Sequence, residues 1–461
     1  MVGSEPGARD WFRTSSSNPD IDPICIRLST PTSRNGLERE QRFAWSTPSI
    51  AWRADGHPHE VGDDVAGFGH FLSLSLEETA VTNRRGWTVG LFLSVGTLGA
   101  MLQLRGALLA SFGETYAVTE GQLGLVATAA SVGTLVTVVA VGMSISRLDV
   151  KRVLTVAAVI LAGLLVVIGS SPTYATLLVG FVAAGLARGA LHALDRPLLG
   201  HLYSSERGRI YNLQDMAWAT GASLGPLLAT AAIAVGEWRL AYYALGAALL
   251  PVAVIFWRLE SPDLEDEEAM AIADLRALLR MPAIGTMGGL MLLLSLVESG
   301  MFTWLPYYAG QSLPRGVANL SLSIYLASYI PGRYVYSVAS ERIDNLRLVL
   351  GSGVLAMGAL VAFVLVDGYA MLVVVAVVGF LVAGLFPTLL AWATNTVPEY
   401  SGPVNALAFV ASGVGFMLFP AGMGVVAEAY SLELAMGLLA VAMGLFALLA
   451  GGILVAGRDG V

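Results

Sequence analysis

From Trp87 onward the chain is a succession of apolar runs, each about long enough to cross a bilayer core, which takes roughly 20 residues of helix. The pattern predicts spans at 86–112, 119–144, 152–170, 174–199, 210–234, 238–258, 283–308, 315–339, 347–366, 369–393, 403–426 and 431–456. Short hinges such as Gly169-Ser170-Ser171-Pro172 separate them. One connection is longer: residues 259–282 hold Glu260 and the run Asp263 to Glu268, and Ala269 to Arg280 reads as a short surface helix. Residues 1–84 are polar, lack sustained apolar periodicity, and are expected to be disordered. They carry no apolar signal-peptide core. The stretch from Val81 to Trp87 resembles the beginning of a membrane protein, which leaves residues 1–80 open to a second reading as a start-site extension.

Composition agrees with lipid as the solvent. Hydrophobic residues make up 56% and charged residues 13%, where a soluble domain usually carries about 25% charged. The net charge of −8 argues against nucleic acid as a partner. A single cysteine, Cys25, excludes an internal disulfide, and five histidines without metal-ligand spacing point to no metal or other cofactor. No phosphate-cradling Gly-x-x-x-x-Gly-Lys-Ser/Thr loop occurs, so nucleotide-driven chemistry is not expected.

Basic residues set the orientation. Arg84, Arg85, Arg147, Lys151, Arg152, Arg207, Arg209, Arg258, Arg276, Arg280, Arg342, Arg347 and Arg458 fall on one side of the spans, and Arg239 and Arg315 on the other. Both termini and the acidic connection are therefore expected in the cytoplasm, in a multi-pass protein of the cell membrane.

The chain repeats itself. The segment Gly142 to Arg152, after span two, aligns with Ser337 to Arg347, after span eight, with Arg147 and Asp149 matching Arg342 and Asp344. Spans four and ten share Gly180-Phe181-x-x-Ala184-Gly185-Leu186 and Gly379-Phe380-x-x-Ala383-Gly384-Leu385. The predicted organisation is a tail (1–84), a first six-helix bundle (85–258), an acidic loop (259–282) and a second bundle (283–461). Repeated halves of this kind place a substrate site near the bilayer midplane.

On these features the region 86–456 resembles the major facilitator superfamily. That family carries Gly-x-x-x-Asp-Arg-x-Gly-Arg-Arg after its second and eighth helices. Here Gly142, Arg147, Lys151 and Arg152 match, while Ser146 stands for the acid, Asp149 for the second glycine and Val150 for a basic residue; Glu341 supplies the acid in the second copy. The Ser204 to Arg209 loop and Trp238-Arg239 also resemble the family. The resemblance implies an all-α membrane fold of twelve helices in two pseudo-symmetric bundles. It implies alternating access for a small-molecule solute, a monomer, no enzymatic reaction, and H+ or Na+ as the driving ion.

Ionised side chains inside lipid cost roughly 2.5–3.5 kcal/mol on insertion scales and so mark cavities or partners. Arg105, Arg188, Asp195, Arg196, Asp215, Glu298 and Arg333 fall inside the spans, with His192 among them. The resemblance implies that Arg105 and Glu298, on helices one and seven, face each other across the central cavity as a gated ion pair. Arg188, His192 and Asp195 or Arg196 lie on one helical face; Arg188 suits substrate or proton contact, and His192 is expected to titrate near physiological pH. The family pattern pairs Asp195 with Arg147 or Arg152 as a latch, so Gly142, Arg147, Asp149, Arg152, Asp195, Asp215, Glu341, Arg342 and Asp344 are expected to gate. Gly221, Gly225 and Pro226 are expected to serve helix packing. Glu298 followed by Trp304 resembles sugar-permease members, with Gln103, Tyr325 and Tyr329 as further hydrogen-bonding groups. Packing within helices is the plainer reading for each of these residues. A sugar or small metabolite is the leading solute; export of amphiphiles by the same fold and a non-transporting sensor are the alternatives.

Overall fold

The computed structural model describes residues 63–144, 147–204, 206–261, 281–396 and 401–456. The acidic run and its expected surface helix lie outside these residues. The described chain is helical throughout. Its segments are α1 (Asp63–Ala107), α2 (Leu109–Tyr116), α3 (Glu120–Gly142), α4 (Val150–Gly169), α5 (Tyr174–Leu202), α6 (Arg207–Ala234) and α7 (Arg239–Arg258). There follow α8 (Pro282–Ala309), α9 (Arg315–Ala327), α10 (Tyr329–Ala339), α11 (Asn345–Leu365), α12 (Ala370–Val382), α13 (Leu385–Thr396), α14 (Ser401–Ala429) and α15 (Leu432–Ala456). The helix of span one begins at Asp63, inside the stretch 1–84 whose polar composition predicts no regular element.

Among the described residues, eleven helices are long and apolar enough to span a membrane. The twelfth crossing is span eight, which is broken into α9 and α10 around Ser328. Pro331 has no N–H, so the Ala327 carbonyl loses its usual partner at the break. Helical bonding resumes where the Gly332 N–H donates to the Ser328 carbonyl at 3.1 Å. The fold is an all-α membrane protein of twelve crossings in two six-helix bundles.

Local chemistry explains the helix starts. Thr119 and Gln122 form a reciprocal capping box at α3, and Thr173 and Thr176 do the same at α5. Asp149 accepts from Arg152 N–H at the start of α4, and Asp344 accepts from Leu346 and Arg347 N–H at the start of α11. The two copies of the loop motif thus perform one job, N-capping the next span.

Within the first bundle, small residues let backbones meet. A Cβ on Gly225 would stand 2.5 Å from the Ala100 carbonyl, and one on Gly221 would overlap Gly96 outright, so α6 lies directly on α1. A Cβ on Gly189 would stand 2.6 Å from the Thr134 carbonyl, and one on Gly185 would overlap Ala130, closing α5 on α3. The second bundle repeats the device: Gly332 meets the Phe380 carbonyl and Gly379 meets Tyr325. Spans three, six, nine and twelve turn Ile160, Leu250, Leu355 and Leu448 outward, all exposed.

Candidate functional site

The two halves touch along α3 with α14 and along α6 with α9. At the end remote from the arginine-rich loops they are sealed. Arg315 pairs with Glu114, Thr119 Oγ1 and Gly121 N–H donate to Glu428, and Tyr307 donates to Glu120. Deeper in, Thr128 donates to the Met417 carbonyl, Asn319 to Thr230, and Ser323 to the Ser223 carbonyl. A Cβ on Gly106 would overlap the Phe302 carbonyl, so spans one and seven also close here. Phe302 packs against Trp218, Tyr325 and Phe416 at centroid distances of 6.3, 6.0 and 5.9 Å. These four rings, from both halves, form an aromatic layer beneath the seal.

Toward the arginine-rich end a polar cavity of about 40 Å³ opens in the first half, with Val95, Leu98 and Trp218 as its apolar wall and Arg188, His192, Asp195, Arg196, Gln214 and Asp215 as its polar wall. His192 Nδ1 and Asp195 lie 3.2 Å apart, and Asp195 also accepts the Arg196 N–H. Arg196 donates to Asp215 at 2.8 Å, and Arg333 of the second half reaches the other Asp215 oxygen at 3.8 Å. Asp215 is therefore the carboxylate that joins the halves at the mouth of the cavity. Arg196 also lies over Phe409 of α14 at 5.2 Å. From Arg333 the chain of contacts continues inward: its guanidinium sits over the Tyr329 ring at 5.8 Å, and the Tyr329 hydroxyl donates to Glu298 and is hydrogen-bonded to the Tyr325 hydroxyl, each at 3.1 Å.

Several sequence expectations are corrected by this geometry. Arg105 does not face Glu298. Its guanidinium turns into the first bundle, donating to the Ala127 carbonyl at 3.2 Å, with Arg188 and Tyr242 as its electrostatic neighbours. Helical position placed it at the right depth, but rotation about the span axis takes it away from the second half. Asp195 is not latched to Arg147 or Arg152; its oxygens are taken within α5. Arg147 is exposed, and Arg152 pairs with its own neighbour Asp149. Gly142 has open space around it, and Glu341, Arg342 and Asp344 are all exposed. Trp304 does not line this polar cavity: it is fully buried and its indole N–H donates to the Pro420 carbonyl at 3.2 Å, joining α8 to α14.

Other candidate residues are grouped in ways the sequence did not name. Glu298, Tyr325 and Tyr329 are brought together, as are Arg188, His192, Asp195 and Asp215. Gln103 is fully buried, and neither end of its amide has a partner among the described residues. Gly221, Gly225 and Pro226 lie on the α1–α6 contact, where the Thr230 hydroxyl donates to the Pro226 carbonyl. Phe302, Phe409, Trp218 and Tyr242 are not legible as site residues in the sequence, because an aromatic in an apolar span carries no distinguishing signal. Arg196 and Arg333 are visible as charges inside spans, yet their shared partner depends on α6 meeting span eight.

Two bundles of six crossings, closed on each other at one end and bridged at the mouth of a polar cavity toward the other, have the architecture of membrane transporters. The chain belongs to the Major Facilitator Superfamily, whose profile matches residues 88–315 and 310–459. It is 23% identical over 350 residues to the uncharacterized MFS-type transporter YfkL of Bacillus subtilis, covering 74% of this chain and 88% of that one. Among solved structures it resembles a bacterial homologue of the human lysosomal transporter Spinster, inward-facing and unoccupied, with a TM-score of 0.69 at 13% identity over 80% of this chain and 96% of that one. It also resembles the nucleoside transporter NupG, at 0.67 and 14% over 81% and 99%. The third likeness is to the Escherichia coli fucose:proton symporter FucP, at 0.56 and 17% over 78% and 97%.

Proposed function

We propose that the chain is a secondary active transporter that moves a small polar solute by alternating access, driven by H+ or Na+, with the arginine-rich end in the cytoplasm. The observation that carries this reading is the Asp215 bridge. One carboxylate holds Arg196 of the first half and Arg333 of the second at the cavity mouth. Each of these side chains is about a third exposed or less (26%, 35% and 33%). Partly solvated pairs are worth little net energy, so the bridge is one that a conformational change can break and remake.

Glu298 is the coupling group in this reading. Its carboxylate accepts the Tyr329 hydroxyl, and Arg333 lies over the Tyr329 ring and reaches Asp215 at 3.8 Å. With Glu298 ionised, Arg333 is shared between Glu298 and Asp215. With Glu298 protonated, Arg333 is released to Asp215 and the bridge between the halves tightens. Proton binding at one site is thereby converted into a change at the gate. The named solutes of NupG and FucP, a nucleoside and fucose, support a polar cargo. Export of amphiphilic compounds is the second reading, favoured by the apolar wall of Val95, Leu98 and Trp218.

Glu298→Gln tests the coupling role. In proteoliposomes the variant is expected to lose gradient-driven uptake and to keep solute exchange. Uptake that responds to pH in the variant as in the parent protein removes Glu298 from the mechanism. Uptake of labelled polar solutes, compared with drug resistance on expression, separates import from amphiphile export.

A further inference from the structure

The acids near mid-membrane are already engaged. Asp195 holds His192 and the Arg196 N–H, Asp215 holds Arg196 and Arg333, and Glu298 holds Tyr329. Among the described residues, two buried guanidiniums near mid-membrane are left without a paired counter-ion. Arg105 is 3% exposed and donates to the neutral Ala127 carbonyl, while its Nε is buried and unpartnered. Arg188 donates to the Thr134 hydroxyl at 3.3 Å, and its Nε is likewise buried and unpartnered. Neither arginine belongs to an ion pair among the described residues; Asp195 acts on Arg188 only from beyond pairing distance. The two arginines are close enough to interact electrostatically, and the buried, unpartnered Tyr242 hydroxyl is a third neighbour. Spans one, two, four and six thus converge on a donor-rich, acceptor-poor spot beside the cavity that Arg188 lines.

We infer that the solute carries an anionic head, a carboxylate or a phosphate, and that Arg105 and Arg188 receive it. The inference deepens the transporter reading and rests on it. Two like charges in a low-dielectric interior repel, and each costs several kcal/mol without compensation. A sugar hydroxyl satisfies a hydrogen bond but returns no charge. An anion returns both, and the guanidinium fork matches carboxylate and phosphate oxygens in pairs. The cavity of about 40 Å³ admits a group the size of roughly three waters, at ~10–15 Å³ each on this measure, which suits a charged head.

The test is ligand-induced thermal stabilisation of the purified full-length protein at constant ionic strength. Succinate, gluconate and inorganic phosphate are the anionic probes, and glucose is the uncharged counterpart of gluconate. At least one anion is expected to raise the unfolding midpoint at millimolar concentration while glucose does not. Arg105→Gln and Arg188→Gln are each expected to weaken that anion's binding at least tenfold. Arg105→Lys and Arg188→Lys keep the charge without the fork and are expected to fall between, which covers the case of a glutamine variant that does not fold. Stabilisation by glucose alone, by none of the anions, or by an anion equally in the variants overturns the inference. Phosphate alone acting, against the carboxylates alone, identifies which head group is read. Exchange of the bound anion in proteoliposomes is measured in parallel: binding through the arginines without flux leaves the anion site standing and sinks the transporter reading.

Discussion

At the scale of single residues, the loop motif changes meaning once its geometry is known. Asp149 stands where the family pattern has glycine, and the structure gives it a local role, in which its carboxylate accepts the Arg152 N–H and opens α4. Asp344 does the same for α11. Loss of such a cap costs roughly 0.5–2 kcal/mol. Asp149→Ala and Asp344→Ala are therefore expected to lower the unfolding midpoint in detergent while leaving uptake per folded molecule near the parent value. Asp149→Ser, which keeps a capping oxygen and removes the charge, is expected to recover the stability. If Asp149→Ser and Asp149→Ala lose transport alike, the charge matters and the residue gates. The ion pair with Arg152 adds little either way, because both side chains are well exposed. The sequence showed which residues were charged inside the membrane, since that depends only on composition along a span. It did not show their partners. Arg105 and Glu298 looked complementary by depth, but the direction of a side chain around its helix is decided by which neighbours pack there.

At the scale of elements, glycine spacing was legible and its consequences were not. Gly221 and Gly225 announced a close helix contact, yet nothing in their spacing names Gly96 and Ala100 as the partners. The contact of α3 with α5 carries the same spacing in Gly185 and Gly189, and nothing in it names Ala130 and Thr134 as the partners. Their role is demanding. At Gly189 the obstruction is the Thr134 backbone carbonyl, which cannot step aside as a flexible side chain would. Gly189→Val is expected to destabilise the first bundle by roughly 1–3 kcal/mol, the usual range for overpacking. The readout is a lower unfolding midpoint together with a larger aggregated fraction on size exclusion. Gly163 on α4 has open space around it, so Gly163→Val is the matched control with little expected change. Equal behaviour of the two variants would remove backbone contact as the reason for glycine at 189. Span eight illustrates the opposite case. Its apolar length predicts one continuous helix, and Pro331 divides it, putting Tyr329 and Arg333 on the short α10 next to the bridge.

At the scale of the whole molecule, the repeat in the sequence was enough to expect two halves, and the contacts between them mark where they would part under the alternating access proposed above. The sealed end is held by separate small interactions: a surface ion pair between Glu114 and Arg315, the Glu428 bonds, and single hydrogen bonds such as Asn319 to Thr230 at 3.3 Å. Exposed pairs and single bonds of this kind contribute on the order of 0–1.5 kcal/mol each. The seal is therefore strong only in sum, which suits the opening gate of the proposed transport cycle. If solute passes by rocking of the halves, Thr230 on α6 and Asn319 on α9 have to separate in every cycle. A Thr230→Cys/Asn319→Cys pair, in a Cys25→Ser background, brings two thiols to neighbouring positions across that line. Joining them with a short thiol-reactive crosslinker is expected to stop nearly all uptake, and a cleavable linker followed by reductant is expected to restore it. Each single cysteine treated in the same way should keep transporting, because it ties nothing across the interface. Full uptake by the crosslinked pair would mean that the halves do not part at this end. The Asp215 bridge would then lose its meaning as a gate, since closing one mouth serves transport only when the other can open.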